Sequence, residues 1–242
     1  MKDLLKNGSE KLNINLSDNQ ISQLIKYSDL LVEWNKKINL TAITDETGIA
    51  TKHFLDSLTA VKTGYVNGRV IDVGTGAGFP GLVLKIAKPD IKLTLLDSLN
   101  KRIKFLQTVS DELSLDGIEF VHSRAEDGGM NRAFRGQFDT VVSRAVANMT
   151  VLSEWCIPFL KVGGRFLALK GPLADEELSA AERAISILGG KVEQVMEVEI
   201  PFTDLSHKII IVKKVRQTPM KYPRKPGIAA KNPIEQCYNL RK

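Results

Sequence analysis

A chain of 242 residues, 43% apolar and 26% charged, has material for one main domain plus an accessory segment, and its apolar content excludes disorder for the bulk of it. It lacks a run of about 18 apolar residues and, behind Met1, the apolar core of a secretory leader, so no membrane span, no secretion and a cytoplasmic location are expected. The formal net charge of +6 is lopsided: residues 216–242 carry seven of the 34 basic residues and one of the 28 acids, which leaves 27 of each in residues 1–215.

Residues 17–38 place Ile21, Leu24, Ile25, Ser28, Leu31, Val32 and Ile38 near one face at helical spacing, with Ser17 and Gln20 as a capping box. A second helix is predicted over about 48–61, so residues 1–64 read as an N-terminal helical cap. From residue 65 to 215 the texture changes to short apolar runs (69–73, 91–97, 118–122, 138–143 and 164–170), each followed by a turn and a helix-length segment. Ser98 is the predicted N-cap of the helix over 99–113. Such alternation requires right-handed crossovers and a parallel sheet covered on both faces. The last two runs, 191–200 and 207–215, are joined by too short a link for a crossover helix and should pair antiparallel at the edge. The fold class expected is α/β, a Rossmann-like seven-stranded sheet of the class I S-adenosylmethionine-dependent methyltransferase type with an N-terminal helical extension.

The densest motif is "VIDVGTGAGFPG", residues 70–81. Gly76, Gly78 and Gly81 satisfy the dinucleotide pattern G-x-G-x-x-G, whereas Asp72 followed by Gly74, Gly76 and Gly78 reads as the acidic-residue-plus-glycines turn of S-adenosylmethionine binders. A tight strand-to-helix turn with no ligand is the third reading. Pro80 favours the methyl donor, because it removes a backbone donor where a pyrophosphate would sit on the helix N-terminus. Asp97 closes the second strand, where a carboxylate can accept both ribose hydroxyls of either cofactor or else cap the next helix. Ala125 and Glu126 follow the third strand, where class I methyltransferases contact adenine; out of that context Glu126 is a surface acid.

Ser143 and Arg144 end the fourth strand and should face the ligand crevice, Arg144 suiting a carboxylate, a phosphate or a capping salt bridge. Lys170 leaves the fifth strand as a phosphate anchor or a snorkelling side chain. Cys156 and Cys237 form no C-x-x-C, and His53, His122 and His207 are scattered, so no metal site and no disulfide scaffold are expected. The tail, 216–242, with Pro219, Pro223, Pro226 and Pro233, reads as a segment that buries little and offers mobile cations to a polyanion, or merely aids solubility.

In chain order, "EWNKKINLTAIT" (33–44), "KHFLDS" (52–57), the glycine turn, "LLDSLNKRIKFL" (95–106), "SRAED" (123–127), "SRAVA" (143–147), "ALKG" (168–171) and the ending "KYPRKPGIAAKNPIEQ" (221–236) resemble one family, the bacterial small-subunit ribosomal RNA guanine-N7 methyltransferases G, also called glucose-inhibited division protein B. The family's Arg-His pair is Lys52-His53 here, which keeps the charge and loses the planar fork. The resemblance implies S-adenosylmethionine contacts at Gly74, Phe79, Ala125, Glu126 and Arg144, to which the fold adds Gly76, Gly78 and Asp97. It implies methylation of N7 of a guanine in 16S ribosomal RNA, with the RNA or the 30S subunit as partner. Lys101, Arg102, Arg144, Lys170, Lys221, Arg224 and Lys225 are the candidates to position RNA, and Ser143 and Arg144 to position the reactants. The neutral body gives no sign of an obligate dimer, so a monomer is expected. Two competing readings remain, a NAD-dependent oxidoreductase and a non-catalytic RNA-binding module with a methyltransferase-like fold.

Overall fold

The computed structural model describes residues 1–234; Glu235, Cys237, Arg241 and Lys242 of the predicted tail lie outside the described residues. Helix α1 (Lys2–Lys11) and helix α2 (Asp18–Asn35) open the chain. The capping box of α2 forms as its sequence predicts: Gln20 N donates to Ser17 Oγ at 3.2 Å and Ser17 N donates to Gln20 Oε1 at 2.8 Å. The next helical stretch is irregular, running as α3 (Glu46–Gly48), a π-helical segment (Ile49–Leu55), α4 (Asp56–Leu58) and a 3-10 turn (Thr59–Thr63). A π-helical turn widens the spacing of side chains and is frequent at functional sites.

Seven strands follow, β1 (Arg69–Val73), β2 (Lys92–Asp97), β3 (Ile118–His122), β4 (Phe138–Arg144), β5 (Leu160–Lys170), β6 (Gly190–Glu199) and β7 (Ser206–Lys214). Their order is β3-β2-β1-β4-β5-β7-β6, with β7 antiparallel to β5 and β6, as the short link predicts, and the other pairs parallel. This is the class I methyltransferase sheet. The crossovers carry α5 (Gly81–Ala87), α6 (Asn100–Glu112), α7 (Ala125–Met130), α8 (Met149–Cys156) and α9 (Ala174–Ile187). Each face of the sheet has its own apolar cluster. One holds Leu82, Leu93, Phe105 and Leu106; the other holds Val141, Leu152, Phe166 and Ile185.

The N-terminal helices share the first of those clusters through Leu5, Leu24, Tyr27, Leu31 and Phe54. Tyr27 is fully buried, and its hydroxyl donates a short hydrogen bond to the Ala77 carbonyl inside the glycine turn. Gln20 Nε2 reaches the Ile86 carbonyl at 2.7 Å, at the end of α5. Helix α2 is therefore a buttress of the turn as much as a cap over the sheet.

The basic tail departs from expectation. Its described part folds back on the body instead of standing free, and ends in α10 (Ile228–Lys231) with Ala229 and Ile234 buried. Arg135 donates to the carbonyls of Tyr222 at 2.7 Å, Thr218 at 3.0 Å and Pro219 at 3.3 Å. Composition alone misses this because much of the docking is made by the segment's backbone, which any residue type supplies.

Lys214, at the end of β7, is 1% exposed. Its ammonium donates to the Ile157 carbonyl at 2.8 Å and to the Thr218 hydroxyl. Burial, with the nearby charges of Arg135 and Arg216, pushes its pKa down to about 7 from 10.5. Between these two values the unfolded chain holds a proton that the folded chain does not, so stability rises with pH through that window. Over pH 7 to 10 the wild type is expected to gain on the order of a few kcal/mol relative to Lys214→Met, measured by urea unfolding. Parallel curves for the two proteins would contradict this.

Candidate active site

The glycine turn is held from below. Asp72 is fully buried, and its Oδ2 accepts from Thr75 Oγ1 at 2.7 Å and from Gly81 N at 2.8 Å, while Oδ1 has no partner. Burial raises its pKa to about 6 against the opposing pull of those hydrogen bonds. Gly74 and Gly78 take φ of +73° and +96°, which L side chains rarely adopt. A Cβ on Gly78 would also collide with the Tyr27 hydroxyl and come within 2.9 Å of Leu82 and Leu106.

The dinucleotide reading fails on the same atoms. Pro80 has no N–H, the Gly81 amide is taken by Asp72, and the Leu82 amide already donates to Gly78 O. The α5 N-terminus thus offers no array of free donors for a pyrophosphate, and a buried carboxylate lies directly beneath it.

Above the turn, at the carboxyl ends of β1, β2 and β4, opens a cleft of about 540 Å³, within the range of small-molecule sites, roughly 300–1,000 Å³. Gly74, Gly76, Phe79, Asp97, Ala125, Glu126 and Arg144 of the predicted cofactor set line it, whereas Gly78 shapes the turn from behind. Asp97 is 2% exposed; its Oδ2 accepts from Gly76 N at 2.9 Å and its Oδ1 from Leu99 N at 2.9 Å. Ser98 is therefore not the N-cap of α6, since that position falls to Leu99, which makes no side-chain cap bond. Oδ1, which accepts only from Leu99 N among the described residues, retains a lone pair for a ligand hydroxyl. Arg102 is drawn into the same wall, Nη1 lying 3.4 Å from Asp97 Oδ2, so it faces the cleft rather than presenting a free cation outside it. Lys101 beside it is exposed.

Arg144 and Ser143 part company because successive strand residues point to opposite faces. Ser143 is fully buried and donates to the Val73 carbonyl at 2.8 Å, which ties β4 to β1 and corrects the expectation that it faces the crevice. Arg144 turns toward the irregular helix, with Nη1 2.5 Å from Asp56 Oδ2 and 2.9 Å from the Lys52 carbonyl. On the far side of Asp56, His207 Nδ1 lies 2.9 Å from Oδ1.

Arg144 Nη2 also lies 3.2 Å from His53 Nδ1. A guanidinium only donates, so Nδ1 accepts and the imidazole proton sits on Nε2, 2.8 Å from Thr41 Oγ1. His53 is thereby neutral, and burial first, then the Arg144 charge, lowers its pKa to about 4. Its ring stacks on Phe79 at 4.5 Å and 16°, with the Arg144 guanidinium 5.2 Å from the same ring. Sequence reasoning missed Asp56 and His207. The signal for Asp56 lies in "KHFLDS", where the π-helical segment brings His53 and Asp56 to one guanidinium.

The remaining predicted positions are largely committed inside the protein. The Glu126 carboxylate, 5% exposed, accepts from Gly227 N at 3.0 Å. Lys170 is 6% exposed, 2.6 Å from Glu177 Oε2 and 2.7 Å from the Ala147 carbonyl, so it is a buried brace rather than an open phosphate anchor. Arg224 is paired with Glu154, which is 1% exposed. Lys221 and Lys225 are exposed.

A family model described as "GidB: rRNA small subunit methyltransferase G" matches residues 20–206. The chain belongs to the rRNA small subunit methyltransferase G family. Among its relatives of that name, the one from Alkaliphilus oremlandii is 55% identical over 97% of this chain and 99% of its own, and the one from Clostridium novyi is 49% identical over 96% of each. Among solved structures, TrmN from Thermus thermophilus superposes with a TM-score of 0.51 at 18% identity, over 69% of this chain and 53% of that one. M. jannaschii TYW2 in complex with AdoMet superposes with a TM-score of 0.50 at 12% identity, over 65% and 74%. These likenesses carry the fold. The matched segment contains every predicted cofactor position and stops short of the docked tail.

Proposed function

We propose that this chain is an S-adenosylmethionine-dependent methyltransferase acting on N7 of a guanine in 16S ribosomal RNA. The observation that carries the reading is the cleft itself, where Asp97 stands beside a glycine turn whose helix end offers no phosphate cradle. Trp155 and Arg102 both line it, and each holds a buried N–H without a hydrogen-bond partner, which suits a polar ligand. When bound there, S-adenosylmethionine supplies an electrophilic methyl group on sulfur. Guanine N7 is an exposed lone-pair acceptor with no proton to lose, so the protein needs no general base. Its residues bind, orient and exclude water.

In this reading Asp97 holds the ribose, Ala125 and Glu126 border the adenine, and Phe79 and Arg144 stand at the reacting end. Neutral His53, packed between Phe79 and Thr41, walls the side from which the guanine enters. Exposed Lys101, Lys221 and Lys225 meet RNA phosphates, which set register rather than base identity. The enzyme works as a cytoplasmic monomer on 16S RNA or the 30S subunit.

The test is transfer from methyl-labelled S-adenosylmethionine to 30S subunits and to protein-free 16S RNA, both lacking the modification, followed by nucleoside analysis. Label is expected in 7-methylguanosine. Cofactor binding without transfer to either substrate would favour a non-catalytic RNA-binding module, and label in another nucleoside would overturn the N7 assignment.

A further inference from the structure

The segment 216–234 lies beyond the residues matched by the family model, yet it contributes to the cleft. Gly227 and Ala230 line it on the side of Ala125, Glu126 and Trp155. We propose that this segment is a working wall of the cofactor cleft, closing its adenosine end, so that cofactor binding and docking of the segment stabilise each other. The proposal rests on the reading that the cleft takes S-adenosylmethionine with its adenine beside Ala125 and Glu126.

Two anchors hold the wall, and both use buried carboxylates whose partners, among the described residues, lie in the segment. Glu154 Oε1 accepts from Arg224 N at 2.7 Å and Nε at 3.0 Å, and Oε2 from Nη2 at 2.7 Å. A bidentate pair to a carboxylate 1% exposed fixes both position and angle. Three residues on, Gly227 turns with φ +82° so that its N–H meets Glu126 Oε1, and α10 starts there. Glu126 is thus a positioning residue: its carboxylate holds the backbone that faces the ligand. A basic, proline-containing stretch would not otherwise bury Ala229 and Ile234.

If the ligand contacts only the docked form, its apparent affinity falls with the fraction docked, and by reciprocity the ligand must hold the segment down. Arg224 and Glu154 are outside the lining of the cleft, so changing them alters docking without removing a ligand contact.

The test uses the full chain with S-adenosylhomocysteine, adenosine and methionine as probes. Hydrogen exchange of peptides within 218–231 is expected to slow at least fivefold with the first two and not with methionine, while peptides of β6 stay unchanged. Arg224→Met is expected to weaken S-adenosylhomocysteine binding, read by calorimetry, about tenfold, and Glu154→Gln to act in the same direction. Tight binding with unchanged exchange in 218–231, or equal affinity in wild type and folded Arg224→Met, would overturn the proposal while leaving the cofactor reading intact. Absence of binding to the wild type would overturn the cofactor reading and this proposal with it. The exchange measurement on the wild type decides the matter even if a variant fails to fold.

Discussion

Arg144→Met is expected to destabilise the folded chain by about 3–5 kcal/mol, the cost of leaving a buried carboxylate without its cation. At about 2–4 °C per kcal/mol for a chain of this size, the melting temperature falls by roughly 6–20 °C. The reason is Asp56, 2% exposed, whose Oδ2 receives Arg144 and whose Oδ1 receives His207. Burial alone would raise the Asp56 pKa, but the His207 hydrogen bond and the Arg144 charge bring it net below 3.8. A depressed carboxylate stabilises the fold above its unfolded value and loses that contribution as pH falls through the folded one. The gap between wild type and Arg144→Met should therefore be full at pH 7 and close in acid below about pH 4. Adding Asp56→Asn to Arg144→Met should recover much of the loss, because the uncompensated charge is gone. Additive destabilisation of the two changes in urea unfolding would show that the pair is not what holds this corner. Methyl transfer is expected to stay low in the recovered double variant, since Arg144 lines the cleft and orients His53.

Asp97→Asn is expected to raise the dissociation constant for S-adenosylmethionine by about 10²-fold or more, nearly as much as Asp97→Ala, since bonds to an ionised group contribute roughly 1.5–3 kcal/mol each. Asparagine looks conservative, but here it is not. The two carboxylate oxygens face two backbone donors, Gly76 N and Leu99 N, each at 2.9 Å. An amide offers one acceptor and one donor. Whichever way it flips, its NH₂ meets an N–H, and either the glycine turn or the start of α6 is pushed out of place. Calorimetry on the two variants checks this, with circular dichroism to confirm folding. Asparagine with wild-type affinity would mean that the carboxylate only hydrogen-bonds to a ribose and does not shape the turn.

Both predictions turn on residues the sequence exposes to different degrees. Asp97 is legible because a strand-ending acid behind a glycine turn has one common use in this fold. Arg144 is legible as a residue of the crevice, but its partner is not, because Asp56 is 88 positions earlier and only the π-helical segment aims it at β4. Ser143 and Arg144 cannot both face the crevice, because consecutive strand residues point to opposite faces. Lys170, Arg102 and Arg224 read as cations for RNA because a sequence shows charge and hides the carboxylate opposite it. Glu177, Asp97 and Glu154 supply those carboxylates from other elements.

Period, glycine placement and run length are local properties, so the sequence by itself determined the alternation of strands and helices, the antiparallel edge pair, the α2 capping box and the place of the glycine turn. Which polar groups are free was decided only by the tertiary structure, since that depends on pairings between different elements whose geometry no local pattern encodes. The docked segment is the clearest case: its composition describes a solvated basic tail, and backbone carbonyls on Arg135, with Glu126 and Glu154 waiting in the body, make it a wall of the cleft.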